Sequence, residues 1–259
     1  MTARPRTFLA DLRRARVLLT NDDGYDAAGL ACLRTIVAGL CDDVWVVAPE
    51  TNQSGAGHSL TLRRPLRITE RGEKRYSVDG TPTDCVLLAI NRIMADHRPD
   101  FVFSGVNHGT NLGDDVTYSG TVSAALEAEV LGVPSIAFSQ ELDEAGATDW
   151  ACARDGLAGL VRTLVARGWP SDTLINVNFP REASGVAVTR LARHKVGDQT
   201  VPESDASGET RFWIGDMHTT EPGDGTDVAA VAAGLVSITP LMLDITDYRT
   251  LADLAAALG

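Results

Sequence analysis

Short apolar runs alternate with stretches of helical periodicity along the first two thirds of the chain. Residues 17–20 (Val17, Leu18, Leu19, Thr20) read as a buried strand, closed by the turn-forming cluster Asn21-Asp22-Asp23-Gly24. Leu30, Leu33, Ile36, Val37 and Leu40 then recur at helical spacing. A second apolar run, 44–48, stops at Pro49 and gives way to a polar, glycine-bearing loop over 50–59. Residues 66–69 and 76–78 flank a charged segment and predict a hairpin, and 83–95 resumes helical spacing. Beyond this lie a strand at 101–104, a loop rich in Gly, Asn and Asp over 105–120, a helix at 121–131 and a strand at 135–138. A helix at 150–167 and a strand at 174–178 complete the series.

Strands alternating with helices in this way predict an α/β fold, a Rossmann-like and mostly parallel sheet with helices on both faces. After Val186 the pattern changes to short β-like pieces at 186–189, 211–214 and 236–239, separated by the polar segment 193–209. Three regions are therefore expected. Residues 1–15, arginine-bearing and without a core pattern, form a flexible N-terminal extension; residues 16–185 form the Rossmann-like domain; and residues 186–259 form a β-rich extension with a hairpin arm and a terminal helix.

Composition narrows the possible partners. With 259 residues, 44% hydrophobic and 22% charged, the chain has the makeup of a folded domain. The excess of Asp and Glu over Lys and Arg, 35 against 23, gives a formal charge of −12, which disfavours a nucleic acid duplex as partner. The four cysteines are dispersed, without the close pairs of zinc or redox sites, and read as reduced thiols. The longest weakly polar stretch, 228–243, is broken by Gly234, Ser237, Thr239 and Pro240, so no membrane span is expected. The start of the chain has no continuous apolar segment of the secretory kind, and the cytoplasm is the expected compartment.

In an open α/β sheet, ligands bind beyond the carboxyl ends of the strands, and three polar loops leave such ends here. They bring Asp22 and Asp23 from the first loop, Ser54 from the second and Asn107 from the third, all hard oxygen donors that suit a magnesium-type ion. Taken alone, Asp-Asp-Gly after a strand is more often a turn and helix cap than a metal site, and it is the convergence of the three loops that favours the ion. The fingerprints of dinucleotide sites, P-loops, serine hydrolases and zincins are all missing. Ser119, Gly120 and Thr121 open a helix whose free N–H groups suit a phosphate, although ordinary capping accounts for them too. His58, in the second loop, either orients a ligand or serves as an acid from outside the ion's direct ligands, or is structural, the commoner case.

Several motifs together resemble the SurE family, the stationary-phase survival nucleotidases. They are Leu18-Leu19-Thr20-Asn21-Asp22-Asp23-Gly24, Val46-Val47-Ala48-Pro49 with Gln53-Ser54-Gly55 and His58-Ser59-Leu60-Thr61, Asp79-Gly80-Thr81-Pro82-Thr83-Asp84-Cys85, and Ser104-Gly105-Val106-Asn107 through Tyr118-Ser119-Gly120-Thr121. Thinner matches follow at Asn176-Val177-Asn178-Phe179-Pro180 and Val236-Ser237-Ile238-Thr239-Pro240, so the likeness runs from about residue 16 to 246. Tyr25 and Asp26 stand where the family commonly has Ile-His, and Ala28 where it often has Pro.

The resemblance implies a divalent-metal-dependent phosphatase acting on nucleoside 5′-monophosphates, and on 3′-monophosphates as well. It implies one ion per subunit, Mg²⁺ or Mn²⁺, held by Asp22, Asp23, Ser54 and Asn107, with Asn111, Ser119, Gly120 and Thr121 around the phosphate. Asp22 and Asp23 would also serve the catalysis, and the C-terminal extension would build a homodimer or homotetramer. The alternative from another class is a regulator that binds metal and nucleotide without turnover.

Overall fold

The computed structural model describes residues 11–193, 200–204, 210–214 and 223–258. Its centre is β1 (Arg16–Thr20), which pairs in parallel with β2 (Asp43–Pro49) on one side and β5 (Phe101–His108) on the other. On the far side of β5 follow β6 (Ser135–Gln140) and β7 (Thr173–Phe179), both parallel. Beyond β2 lie β4 (Arg75–Val78), parallel to it, and β3 (Ile68–Gly72), which returns antiparallel as the expected hairpin.

Because side chains alternate along a strand, a strand covered on both faces must be apolar throughout. In β1, Val17 and Leu19 enter the core under α1 (Ala28–Ala38) and α4 (Ala151–Arg167). Leu18 enters the opposite core, under α2 (Pro82–Leu88) and α3 (Gly120–Val130). Helix α1 buries Leu30, Leu33 and Val37, the positions its spacing predicts. Thr81 and Asp84 cap α2 reciprocally, with Pro82 in the first turn.

Four expectations differ from the structure. The helix anticipated over 83–95 is α2 followed by a wider, π-type turn at Ala89–Ile93, after which Met94 is fully buried. Strand β5 continues past residue 104 to His108 through a bulge, in which the step from Ser104 to Asn107 faces only the step from Ala137 to Ser139. Gly105 permits the bulge, with φ at +132° and a Cβ position 2.3 Å from Phe138 O. Part of the N-terminal extension is packed: Ala15 is buried, Leu12 leans on the core and Asp42 N–H donates to Arg13 O at 3.1 Å.

The fourth difference concerns the residues after Val186. Of the β pieces there, β8 (Gly185–Val188) and β11 (Leu235–Met242) join the main sheet. Strand β11 lies antiparallel to β7 and parallel to β8, and its Val236 and Ile238 bury in the core under α1 and α4, which holds it there. Among the described residues, β9 (Thr200–Ser204) and β10 (Thr210–Ile214) pair with each other apart from that sheet. The short α5 (Asp227–Ala232) precedes β11, and the chain closes with α6 (Tyr248–Leu258), none of whose residues is buried.

Candidate active site

The loops after β1 and β2, the end of β5 and the start of α3 meet at the carboxyl edge of the sheet. Backbone hydrogen bonds lock the loops to one another: Gln53 N–H donates to Asp22 O at 2.7 Å, and Gly57 N–H to Tyr118 O at 3.1 Å. Within the first loop, Asn21 Nδ2 donates to Gly24 O at 2.9 Å. A sharp turn is thus held open so that Asp22 points inward to the start of α3 while Asp23 remains half-buried.

Three of the expected residues touch. The Thr121 hydroxyl donates to Asp22 Oδ1, and it also lies 3.2 Å from Asn107 Oδ1, so one proton faces two acceptors. The Asn107 amide nitrogen is turned away toward Gly109 O, which leaves the amide oxygen facing the cluster. His108 N–H donates to Asp23 Oδ2 at 3.1 Å. Gly120 completes the contact, since a Cβ there would lie 2.6 Å from Asp22 Cβ.

Burial pushes both carboxyls up. For Asp22 it outweighs the hydrogen bond from Thr121, and the neighbouring charge of Asp23 pushes in the same direction. For Asp23 it outweighs the N–H and the charge of His108. Oxygens in excess of protons, with two anions disfavoured by burial, are what a hard divalent cation relieves. The donor set therefore fits such an ion. Among the described residues no three His, Cys, Asp or Glu side chains gather in one place, so the hydroxyl and amide oxygens have to complete the ligand set.

The other expected residues are distributed as follows. Ser54 is exposed, one residue beyond the Gln53 that is tied to Asp22, and its N–H is held by Asn52 Oδ1 at 2.7 Å. Ser119 caps α3, accepting from Val122 N–H at 3.0 Å. His58 turns to α3 and meets Glu127 Oε2 at 2.9 Å, so it fastens the second loop to that helix.

Asn111 is buried in an amide network that sequence reasoning did not identify. Asn178 Oδ1 accepts its N–H at 2.8 Å, Asn176 and Asn178 donate to its carbonyl at 2.9 and 3.1 Å, and its own amide donates to Ser139 Oγ at 2.8 Å. The available signal was polar residues at 176 and 178, on one face of an otherwise apolar strand. Asp227, also missed, is fully buried and accepts from Gly113 and Ala192 N–H, both at 2.8 Å, pinning the same loop.

An open, mostly parallel sheet with an acidic, oxygen-rich cluster at its strand ends and a helix N-terminus beside it defines an α/β protein built to bind ligand at that edge. Its chain matches the family description "Survival protein SurE" over residues 17–198. It belongs to the SurE family. A protein of Paramagnetospirillum magneticum named 5′-nucleotidase SurE is 47% identical over 243 residues, 92% of this chain and 94% of that one. One of the same name from Methylocella silvestris is 48% identical over 94% of this chain and 99% of its own. The crystal structure of the SurE protein from Aquifex aeolicus superposes with a TM-score of 0.82 at 39% identity, covering 94% of this chain and all of that one.

Proposed function

We propose that this chain is a divalent-metal-dependent nucleotidase that hydrolyses nucleoside 5′-monophosphates, and 3′-monophosphates as well, to nucleoside and phosphate. The contact of Asp22, Thr121 and Asn107 at the start of α3 is the observation that carries this reading, and the relatives named 5′-nucleotidase support it. Asp22, Asp23, Ser54 and Asn107 would hold one ion, Mg²⁺ or Mn²⁺. Once bound, the ion supplies charge neutralisation at the phosphoryl group and lowers the pKa of a water. Asp23, the more exposed of the two carboxylates, takes the proton of the attacking water. The N–H groups that open α3 and the hydroxyl of Ser119 hold the phosphate oxygens, and the Thr121 hydroxyl, which here donates to Asp22, would turn to them when an ion occupies Asp22 and Asn107. Asn111 keeps one amide proton for them beside the one given to Ser139.

Catalysis belongs to residues 16–185 in this reading, and assembly as a homodimer or homotetramer to residues 186–259. An isolated two-stranded hairpin is marginal in water, and β9–β10 exposes Val201, Phe212 and Trp213. Helix α6 likewise exposes Tyr248, Leu251, Leu254 and Leu258. Among the described residues no helix is long and apolar enough to cross a membrane. The cytoplasmic location is kept on the four free thiols, which a reducing compartment leaves unpaired. The test is phosphate release from AMP with Mn²⁺, with and without chelator, by wild type and Asp23→Asn. Reversible loss on chelation and a fall of orders of magnitude in the variant are expected. AMP binding without release would identify a regulator instead.

A further inference from the structure

A cavity of about 400 Å³ opens beside the turn that follows Asp22 and Asp23, on the face of the sheet that α1 covers. Val46 and Leu30 form its apolar floor, and Tyr25, Arg34, Arg71 and Arg75 stand around it. Three arginines thus line one cavity in a chain whose net charge is −12. Several arginines elsewhere have carboxylates, as Arg13 has Asp42, Arg16 has Asp43 and Arg67 has Glu50. Among the described residues, neither Arg34 nor Arg75 has an ion-pair partner. Arg71 gives its Nε to Ser77, lies 3.7 Å from Glu50 and sits 5.3 Å over the Tyr25 ring. Asp26 is the one acidic residue lining the cavity, so positive charge stays in excess.

Like charges gathered in a concave surface repel one another and focus a field that draws anions in. Guanidinium forks match phosphate oxygens in pairs, and three forks offer more donors than one phosphate group uses. The volume falls within the range of small-molecule sites, about 300–1,000 Å³, and Tyr25 with Leu30 offers an apolar wall to the rest of a ligand. We propose that this cavity is a second anion site, separate from the hydrolytic centre, that takes a diphosphate group, carried by a nucleotide or free as pyrophosphate. It shares the loop of Asp22 and Asp23, since Tyr25 N–H is bound to Pro49 O at 2.7 Å, but α3 and its phosphate-binding start pack on the other face of the sheet. The site does not depend on the hydrolytic reading.

Isothermal titration calorimetry in excess chelator tests it, with ADP and pyrophosphate as probes. The proteins are wild type, Arg34→Gln/Arg75→Gln, Arg34→Lys/Arg75→Lys and Asp22→Asn/Thr121→Val. At least one probe is expected to bind wild type and the hydrolytic-centre variant alike. Affinity should fall by about tenfold or more in the glutamine pair and recover partly in the lysine pair. Both arginines lie at the surface or half-buried, so melting temperatures should not move. Equal binding of ADP and pyrophosphate supports recognition of the diphosphate alone, and tighter ADP supports a nucleoside against Tyr25. No binding of either at millimolar concentration, wild-type affinity in the glutamine pair, or loss in the hydrolytic-centre variant alone would overturn the proposal.

Discussion

An alanine at position 120 probes how closely the start of α3 sets Asp22. The added Cβ would lie 2.6 Å from Asp22 Cβ and 2.8 Å from its Oδ2. Carbon atoms pack at about 3.5–4.0 Å, so the two groups have to part by about 1 Å. Rotating the Asp22 side chain cannot relieve the clash, because its Cβ is fixed to a backbone that Gln53 N–H holds at 2.7 Å. A displacement of about 1 Å at a reacting group costs on the order of 100-fold in rate. Stability should fall less: overpacking costs about 1–3 kcal/mol, and replacing glycine in a helix returns up to about 1 kcal/mol.

Gly159 of α4 is the control, since a Cβ there meets no atom within 4 Å. Gly159→Ala should add about 0.5–1 kcal/mol and leave turnover unchanged. Phosphate release from AMP and thermal melts, run on both variants, make the comparison. If Gly120→Ala keeps a rate within about threefold of wild type while Gly159→Ala behaves as stated, the packing of α3 on Asp22 does not set the geometry of catalysis.

Three further outcomes follow from the same geometry. Burial pushes the Glu129 carboxyl from 4.5 up to about 7, so the folded chain keeps a proton that the unfolded chain releases. The stability this proton contributes is fully present below about 4.5 and lost as pH rises through about 7, a change on the order of 3 kcal/mol. Glu129→Gln retains the acceptor for Ser135 N–H at 2.9 Å, so it should raise the melting temperature at pH 8 and change it little at pH 5; equal shifts at both would contradict this. Thr121→Val should raise KM for AMP and also shift Mn²⁺ affinity, followed by calorimetry, because its hydroxyl lies at the helix start and touches Asp22 and Asn107, two of the expected metal ligands; wild-type values of both would remove Thr121 from the site. Asp22→Asn should raise the melting temperature of the metal-free protein at pH 7, since both native carboxyls are held above their usual range, and lower it relative to wild type once Mn²⁺ is added. A loss of stability with and without the ion would instead make Asp22 a simple cap.

What the amino-acid sequence determined by itself is what short range decides. Apolar runs such as Val17–Leu18–Leu19, too short for a helix and closed by a turn cluster, read as strands buried on both faces, and Leu30, Leu33 and Val37 mark one side of a helix. The turn at 21–24 and the opening of α3 at 119–121 are likewise written locally, and the motifs around them carried the family resemblance and the site residues with it. The tertiary structure alone decided what depends on partners far along the chain. Asp22 meets Thr121 across 99 residues, Asn111 is held by Asn178 across 67, and Gly113 by Asp227 across 114. It decided also that β8 and β11 extend the sheet, and that Arg34, Arg71 and Arg75 share a cavity although they sit on a helix and a hairpin. Periodicity reports which side of an element is buried, whereas the neighbour that buries it is chosen by packing and by the pairing of polar groups removed from water.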